Sequence, residues 1–335
     1  MDGDLIQREL VFQQSSLDGL DRLATLYHAC FDVVPPVNYF SWKYRDNPSG
    51  SLVGFEATHQ GAVVASYAVI PEAYVVDGRP RVVWQSMDTM THPDYQRRGL
   101  FVTLARMTFD HLASVDPEFL IIGIPAPASH AGFTKKLGWS DVHQFRLMFQ
   151  ERRAFMAVTS IRRSPQLSFR TITGSATSLT EYLRLRPPPS RHIQNEISAE
   201  FLTWRVLDNP MRKLELVEFS HSGEPCGIAA FTNDDSGKSF ILLLDVADPQ
   251  QLPRLTPPVL KHVFQRTGAR VVSTWEPLDK QLRNAYVRSG LMINPTQRGP
   301  MTFRQPLITY SAKKSFEGFD PTSPSSFSLQ PVMQD

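Results

Sequence analysis

Cysteine is scarce in this sequence: Cys30 and Cys226 are the only two in 335 residues. They lie far apart, which excludes a disulfide framework and implies free thiols in a reducing compartment. Long apolar runs are missing too. No uncharged stretch approaches the roughly 20 residues that span a bilayer, so no membrane partner is expected. The opening residues, Met-Asp-Gly-Asp-Leu-Ile-Gln-Arg-Glu-Leu, carry early acids and no apolar centre, unlike a secretory signal. These absences point to the cytoplasm. An excess of one charge is also absent: 35 Lys and Arg against 33 Asp and Glu leave +2. Such a balance gives no reason to expect a nucleic-acid partner. No metal site and no oligomeric state are read from the sequence.

What is present suits a globular protein, with 41% apolar and 20% charged residues. The length is too great for one average domain and comfortable for two. Leu5 to Phe12 reads as a strand and Ser16 to Cys30 as a helix with a leucine stripe. Tyr39 to Pro48 reads as a short helix stopped by Asn47-Pro48. Leu52 to Thr58 pairs with Ala62 to Ile70, and Tyr74 to Val76 pairs with Arg81 to Met90 around Asp77-Gly78. Phe119 to Ile124 is a further strand, Ser129 to Leu137 a helix ended by Gly138, and Trp139 to Gln150 a strand.

The chain is organised around Met87 to Phe101, Met-Asp-Thr-Met-Thr-His-Pro-Asp-Tyr-Gln-Arg-Arg-Gly-Leu-Phe. An apolar strand ends at Pro93, which cannot donate a ladder hydrogen bond. Gln96, Arg97, Arg98 and Gly99 follow, and then Leu100, Leu104, Met107 and Leu112 give a helix its apolar face. The first amides of a helix have no internal partner, and the helix dipole places partial positive charge there. Gly99 allows close backbone approach, and two arginines can meet a phosphate. A solvated basic loop before an ordinary amphipathic helix would leave the same four residues, so the wider context decides.

That context resembles the acetyl-CoA-binding motif of the GCN5-related N-acetyltransferases (GNAT). Gln96 and Gly99 fall on the first two positions of the family loop, and Phe101 falls on the third, where Gly or Ala is usual. Lys136-Leu137-Gly138-Trp139 resembles the segment that closes the family's last motif. The resemblance implies an α+β fold, a mixed and mostly antiparallel twisted sheet flanked by helices. It also implies that Met90, Thr91, His92, Gln96, Arg97, Arg98, Gly99, Leu100 and Phe101 bind acetyl-CoA, which serves as acyl donor. The partner it implies is a small-molecule amine.

A second copy is visible. Trp42-Lys43-Tyr44-Arg45-Asp46-Asn47-Pro48 recurs as Trp204-Arg205-Val206-Leu207-Asp208-Asn209-Pro210. Paired strands follow at Leu214 to Phe219 and Cys226 to Phe231, then a strand at Phe240 to Val246, a helix at Pro258 to Gln265 and a strand at Ala269 to Trp275. After Val246 the copy reads Ala-Asp-Pro-Gln-Gln-Leu-Pro, without glycine or an arginine pair. The expected organisation is a tandem GNAT fold: residues 1–150 with the cofactor site, 151–190 a linker, 191–305 a degenerate copy and 306–335 a disordered tail.

The reaction implied is acyl transfer to an amine, which must lose a proton before it attacks. Asp88, on the cofactor strand near the expected thioester, is the first candidate base. Glu72, beside Pro71, and His130, after the strand Phe119 to Ile124, are the alternatives. The tyrosine that serves as acid in the family would stand at Thr134 here; Tyr286 holds the matching place in the second copy and reads as core. Trp42 and Trp204 read as core anchors. The motif combination looks most like acetyltransferases acting on amino sugars. The competing reading is a non-catalytic acyl-CoA-binding or regulatory module that acts through a protein partner.

Overall fold

The structure is a computed structural model and describes residues 9–159, 164–186, 193–293, 304–313, 316 and 319–333. Two compact units result. The first holds Met1–Tyr74, Pro80–His143 and Pro306–Ser323; the second holds Val75–Arg79, Gln144–Gln305 and Pro324–Asp335.

In the first unit the chain runs through strand β1 (Val11–Gln14), helix α1 (Arg22–Phe31), helix α2 (Tyr39–Tyr44) and strands β2 (Val53–His59), β3 (Ala62–Val76) and β4 (Arg79–Thr91). Helix α3 (Leu100–Val115), strand β5 (Leu120–Gly123) and helix α4 (Pro127–Lys136) follow. The strands lie side by side in the order β1 to β5. β1 with β2 and β2 with β3 are antiparallel, whereas β4 and β5 are parallel. Helix α3 buries Leu100, Leu104, Ala105, Phe109 and Leu112 in a core shared with Tyr67, Ile121, Phe133 and Trp139. At about 1.5–3 kcal/mol for each large apolar side chain, that face fixes the helix on the sheet. The place beside β5 is taken by Arg304–Ser311 from the far end of the chain, antiparallel, with Ile308 opposite Gly123.

The second unit begins with the latter part of β6 (Ser140–Glu151) and contains α5 (Arg152–Thr159), β7 (Leu167–Ile172), α6 (Thr180–Leu185), β8 (Ile193–Asn195) and α7 (Ala199–Leu202). Strands β9 (Leu214–His221), β10 (Glu224–Thr232) and β11 (Lys238–Val246) follow, then α8 (Leu252–Thr267), β12 (Val271–Trp275), α9 (Lys280–Arg288) and β13 (Met292–Ile293). The chain closes with β14 (Arg304–Ser311), already placed beside β5, and β15 (Phe327–Ser328), which pairs parallel with β8. The strand order is β6-β12-β11-β10-β9-β7. Read backwards, it matches β1 to β5 and β14 place by place. The directions match as well: β11 and β12 are parallel, and β6–β12, β9–β10 and β7–β9 are antiparallel. The duplication expected from the Trp-x-x-x-Asp-Asn-Pro repeat is therefore present in the architecture.

Three expectations need correction. The segment 306–335 was expected to be a disordered tail, yet Arg304–Ser311 is a strand and Leu307, Ile308 and Val332 are fully buried. The segment 151–190 is not a bare linker, because α5, β7 and α6 lie in it and Phe155, Ile172 and Tyr182 are buried. The first unit ends near His143, not at residue 150, since β6 crosses from one unit to the other. Part of the first expected strand, Leu5 to Phe12, lies outside the described residues. Tyr74 to Val76 is no separate strand but the end of the 15-residue β3.

Candidate active site

β4 and β5 pair only at Trp84–Ile121 and Gln85–Ile122. Beyond that point the parallel strands part and leave a notch. Two cavities occupy it. The larger, about 480 Å³, is lined by Cys30, Thr91, Tyr95, Gln96, Arg97, Gly99, Leu100 and Phe101, among others. The smaller, about 180 Å³, is lined by Ser86 to Thr89 of β4, Gly123 to Ala126, Phe31, Ser129 and Phe133. Phe31, Thr89, Ala126 and Ser129 belong to both, so the two adjoin.

The loop that feeds the larger cavity is shaped by its backbone. His92 caps the turn Pro93–Tyr95 by accepting from the Asp94 amide at 3.3 Å. Arg97 and Gly99 then take left-handed conformations, with φ of 64° and 78°. A non-glycine residue held at positive φ costs on the order of 1–3 kcal/mol, and such strain gathers at functional sites. Gly99 is the N-cap of α3 and offers no side-chain cap, so the first amides of the helix stay open. Open amides, the dipole and Arg97 together could hold an anion at the cavity wall.

Of the nine cofactor residues expected from the sequence, Thr91, Gln96, Arg97, Gly99, Leu100 and Phe101 line the cavity. Met90 is 1% exposed and faces the core. His92 serves the turn, and Arg98 packs over the Tyr95 ring at 5.7 Å. Phe101 is accommodated by Gly132 of α4: a Cβ there would lie 2.7 Å from the ring. The ring meets Phe133 edge-on at 4.9 Å.

Asp88 lines the smaller cavity. Its φ of 30° is a left-handed conformation within β4. Its Oδ2 accepts from Lys43 Nζ and from Tyr44 OH, each at 2.8 Å, and Lys43 also donates to Tyr39 OH at 2.7 Å. The Lys43 side chain is only 1% exposed. The other two candidate bases are placed differently. Glu72 is 1% exposed on β3, and His130 Nε2 meets Asp141 Oδ1 at 2.6 Å; neither lines either cavity. Residues that sequence reasoning passed over include Lys43 and Tyr44, read as part of a repeat, and Cys30, Phe31 and Ser129. The signal for Lys43 was present: a lysine inside an aromatic run, Tyr-Phe-Ser-Trp-Lys-Tyr, needs a buried counter-charge. Burial pushes the Cys30 thiol up, only partly offset by a hydrogen bond to the backbone of Thr91.

Residues 12–142 match the family described as an acetyltransferase (GNAT) domain. The chain carries a GNAT domain. No curated protein matches the sequence. Solved structures do match over nearly its whole length. A GCN5-related N-acetyltransferase from Anabaena variabilis shares 12% identity over 91% of this chain and 73% of its own, with a TM-score of 0.64. A tandem GNAT protein from the clavulanic acid biosynthesis pathway shares 14% over 92% and 100%, with a TM-score of 0.59. Saccharomyces cerevisiae N-myristoyltransferase with bound myristoyl-CoA shares 10% over 90% and 79%, with a TM-score of 0.60. At these identities the likeness is one of fold: a tandem GNAT fold, in two copies.

The second GNAT copy has the same notch and different contents. β11 and β12 pair from Lys238–Val271 to Phe240–Ser273 and then part. Asp248 caps a turn at Pro249–Gln251, as His92 does at Pro93, but α8 begins at once with Leu252. The four residues Gln96–Gly99 have no counterpart. The Leu244 amide donates to Gln330 Oε1 at 2.9 Å, so the chain's own C-terminal segment occupies the strand. Asp245 is held by Arg186 at 2.7 and 3.0 Å and by Tyr182 OH at 2.7 Å. Tyr286 is 1% exposed, and burial holds its phenol well above the ordinary range. As expected from the sequence, it is a core residue.

Among the described residues, no group of three or more His, Cys, Asp or Glu could hold a metal ion. No described helix is long and apolar enough to cross a membrane.

Proposed function

We propose that this protein is an acyl-CoA-dependent N-acyltransferase, moving an acetyl group from acetyl-CoA to the primary amine of a small molecule, with amino sugars the first acceptors to try. One observation carries the reading. The open amides of α3 and the strained Arg97–Gly99 loop form one wall of a cavity that adjoins a second one holding a carboxylate in the β4–β5 notch.

The amides after Gly99, with Arg97, hold the CoA pyrophosphate. The pantetheine arm follows the parted edge of β4 past Thr91 and Thr89. An entering amine gives its proton to Asp88, directly or through a water, and Oδ1 is the oxygen left for this by Lys43 and Tyr44. The nitrogen then bonds to the thioester carbon, and backbone amides of β4 stabilise the oxyanion. As the oxyanion collapses, the nitrogen loses its second proton to water, the C–S bond breaks and CoA leaves as a thiolate, which takes a proton from solvent. The products are the amide and CoA.

The Lys43–Asp88 ion pair favours a second reading, a module that binds acyl-CoA without turnover, because Lys43 and Tyr44 already hold the carboxylate. Release of free thiol from acetyl-CoA over a panel of amines decides between the two. Turnover with at least one amine supports the enzyme. CoA binding with no thiol release from any amine supports the binding module.

A further inference from the structure

The smaller cavity is too large for an acetyl group. We infer that the donor is a short apolar acyl-CoA of about four to six acyl carbons, whose chain lies in the cavity between β4 and β5. This inference rests on the acyltransferase reading above and revises its donor, putting a longer acyl group where that reading put acetyl.

Size is the first argument. The cavity measures about 180 Å³. An apolar protein cavity of about 150 Å³ holds a benzene molecule. Two acetyl carbons would leave most of such a space empty or wet, and the lining would forfeit its dispersion contacts.

Chemistry is the second. Phe31, Met87, Ile124, Pro125 and Phe133 supply apolar wall. Four polar side chains line the space, Ser86, Asp88, Thr89 and Ser129, and three of them already have a partner within the chain. Ser86 donates to Tyr67 OH at 3.1 Å, Ser129 donates to the Ala126 carbonyl at 3.1 Å, and Asp88 holds Lys43 and Tyr44. An apolar chain entering here leaves those three sets of bonds intact. A sugar or a charged group would find few partners to offset its own desolvation.

Position is the third. The cavity adjoins the cofactor groove along Phe31, Thr89, Ala126 and Ser129, next to the proposed path of the pantetheine arm. It is also bounded. Phe133 is held edge-on by Phe101 at 4.9 Å and by Trp139 at 5.0 Å, which makes a firm wall. A firm wall sets an upper length as well as a lower one.

The test is calorimetric titration of the full chain with CoA, acetyl-CoA, butyryl-CoA, hexanoyl-CoA and dodecanoyl-CoA. Each buried methylene contributes about 0.8 kcal/mol, or roughly fourfold in affinity. Butyryl-CoA should bind about 15-fold more tightly than acetyl-CoA, hexanoyl-CoA at least as tightly as butyryl-CoA, and dodecanoyl-CoA no more tightly than hexanoyl-CoA. Ile124→Trp, which fills the cavity, should bring butyryl-CoA back to the affinity of acetyl-CoA. Met87→Ala, which enlarges it, should move the plateau to a longer chain and serves if the tryptophan variant does not fold. CoA binding with a flat or falling series from acetyl to butyryl would overturn the inference and leave the acyltransferase reading standing. So would a rise that continues steadily to dodecanoyl-CoA. Failure of every ligand, CoA included, to bind would remove both.

Discussion

In the first unit four residues, Gln96–Gly99, stand between the Pro93 turn and α3; in the second, Gln251 leads directly into α8. Both helices have 16 residues, and both follow a capped proline turn. Both notches carry an aspartate held by a cation and a tyrosine, Asp88 by Lys43 and Tyr44, Asp245 by Arg186 and Tyr182. One scaffold thus supports two outcomes. Where the glycine loop is present, the helix amides open on a groove. Where it is missing, the strand amide of Leu244 is satisfied by Gln330 of the same chain. The two copies differ in a short loop and in what covers the parted strand.

The largest effect should come from making the first copy resemble the second. Deleting Gln96–Gly99 should abolish CoA binding, a loss of at least 100-fold by calorimetry, while the circular dichroism spectrum stays that of the parent. Retained affinity would sink the anion-site assignment. Next come the two aspartates, which should respond differently. Asp88→Asn should lower turnover by at least tenfold with CoA affinity within threefold. Asp245→Asn should leave CoA affinity unchanged and destabilise the chain by about 2 kcal/mol in urea, because it leaves the largely buried Arg186 uncompensated. Equal turnover for Asp88→Asn would rule it out as base.

A smaller effect is expected at Gly99. A Cβ there meets nothing within 4 Å, but φ is 78°. Gly99→Ala should weaken CoA by roughly fivefold, through about 1 kcal/mol of backbone strain. The mildest contrast is between the cysteines. Burial raises both thiols, Cys226 to about 11. The thiolate is the reactive form, so alkylation of each should be slow at pH 8 and accelerate as pH rises. Only Cys30 lines the groove, so saturating CoA should slow alkylation of Cys30 severalfold and leave Cys226 unchanged, as read by peptide mass spectrometry.

Much of this was legible where the determinants are local. The strand, Pro93, the glycine loop and the leucine stripe of α3 sit within one short stretch, and each has its own physical signature. The repeat was legible because Asn47-Pro48 and Asn209-Pro210 end equivalent helices. What could not be read depends on distant partners. β14 looks like a tail because its partner β5 lies far earlier in the chain. Asp88 reads as a base on a strand; only the folded chain brings it to Lys43 and Tyr44. Phe101 reads as an obstruction at a position where the family prefers a small residue. The compensation sits on another helix, at Gly132.

The position of β14 has a consequence for synthesis. It follows β5 by roughly 180 residues. At about 5–20 residues per second, the ribosome leaves the β5 edge of the first unit unpaired for roughly 10 to 35 s after β5 is made. An unpaired edge is a template for other strands. The first unit, though encoded first, waits for a strand made after most of the second, and any premature stop before residue 304 releases a chain whose first sheet has an open side.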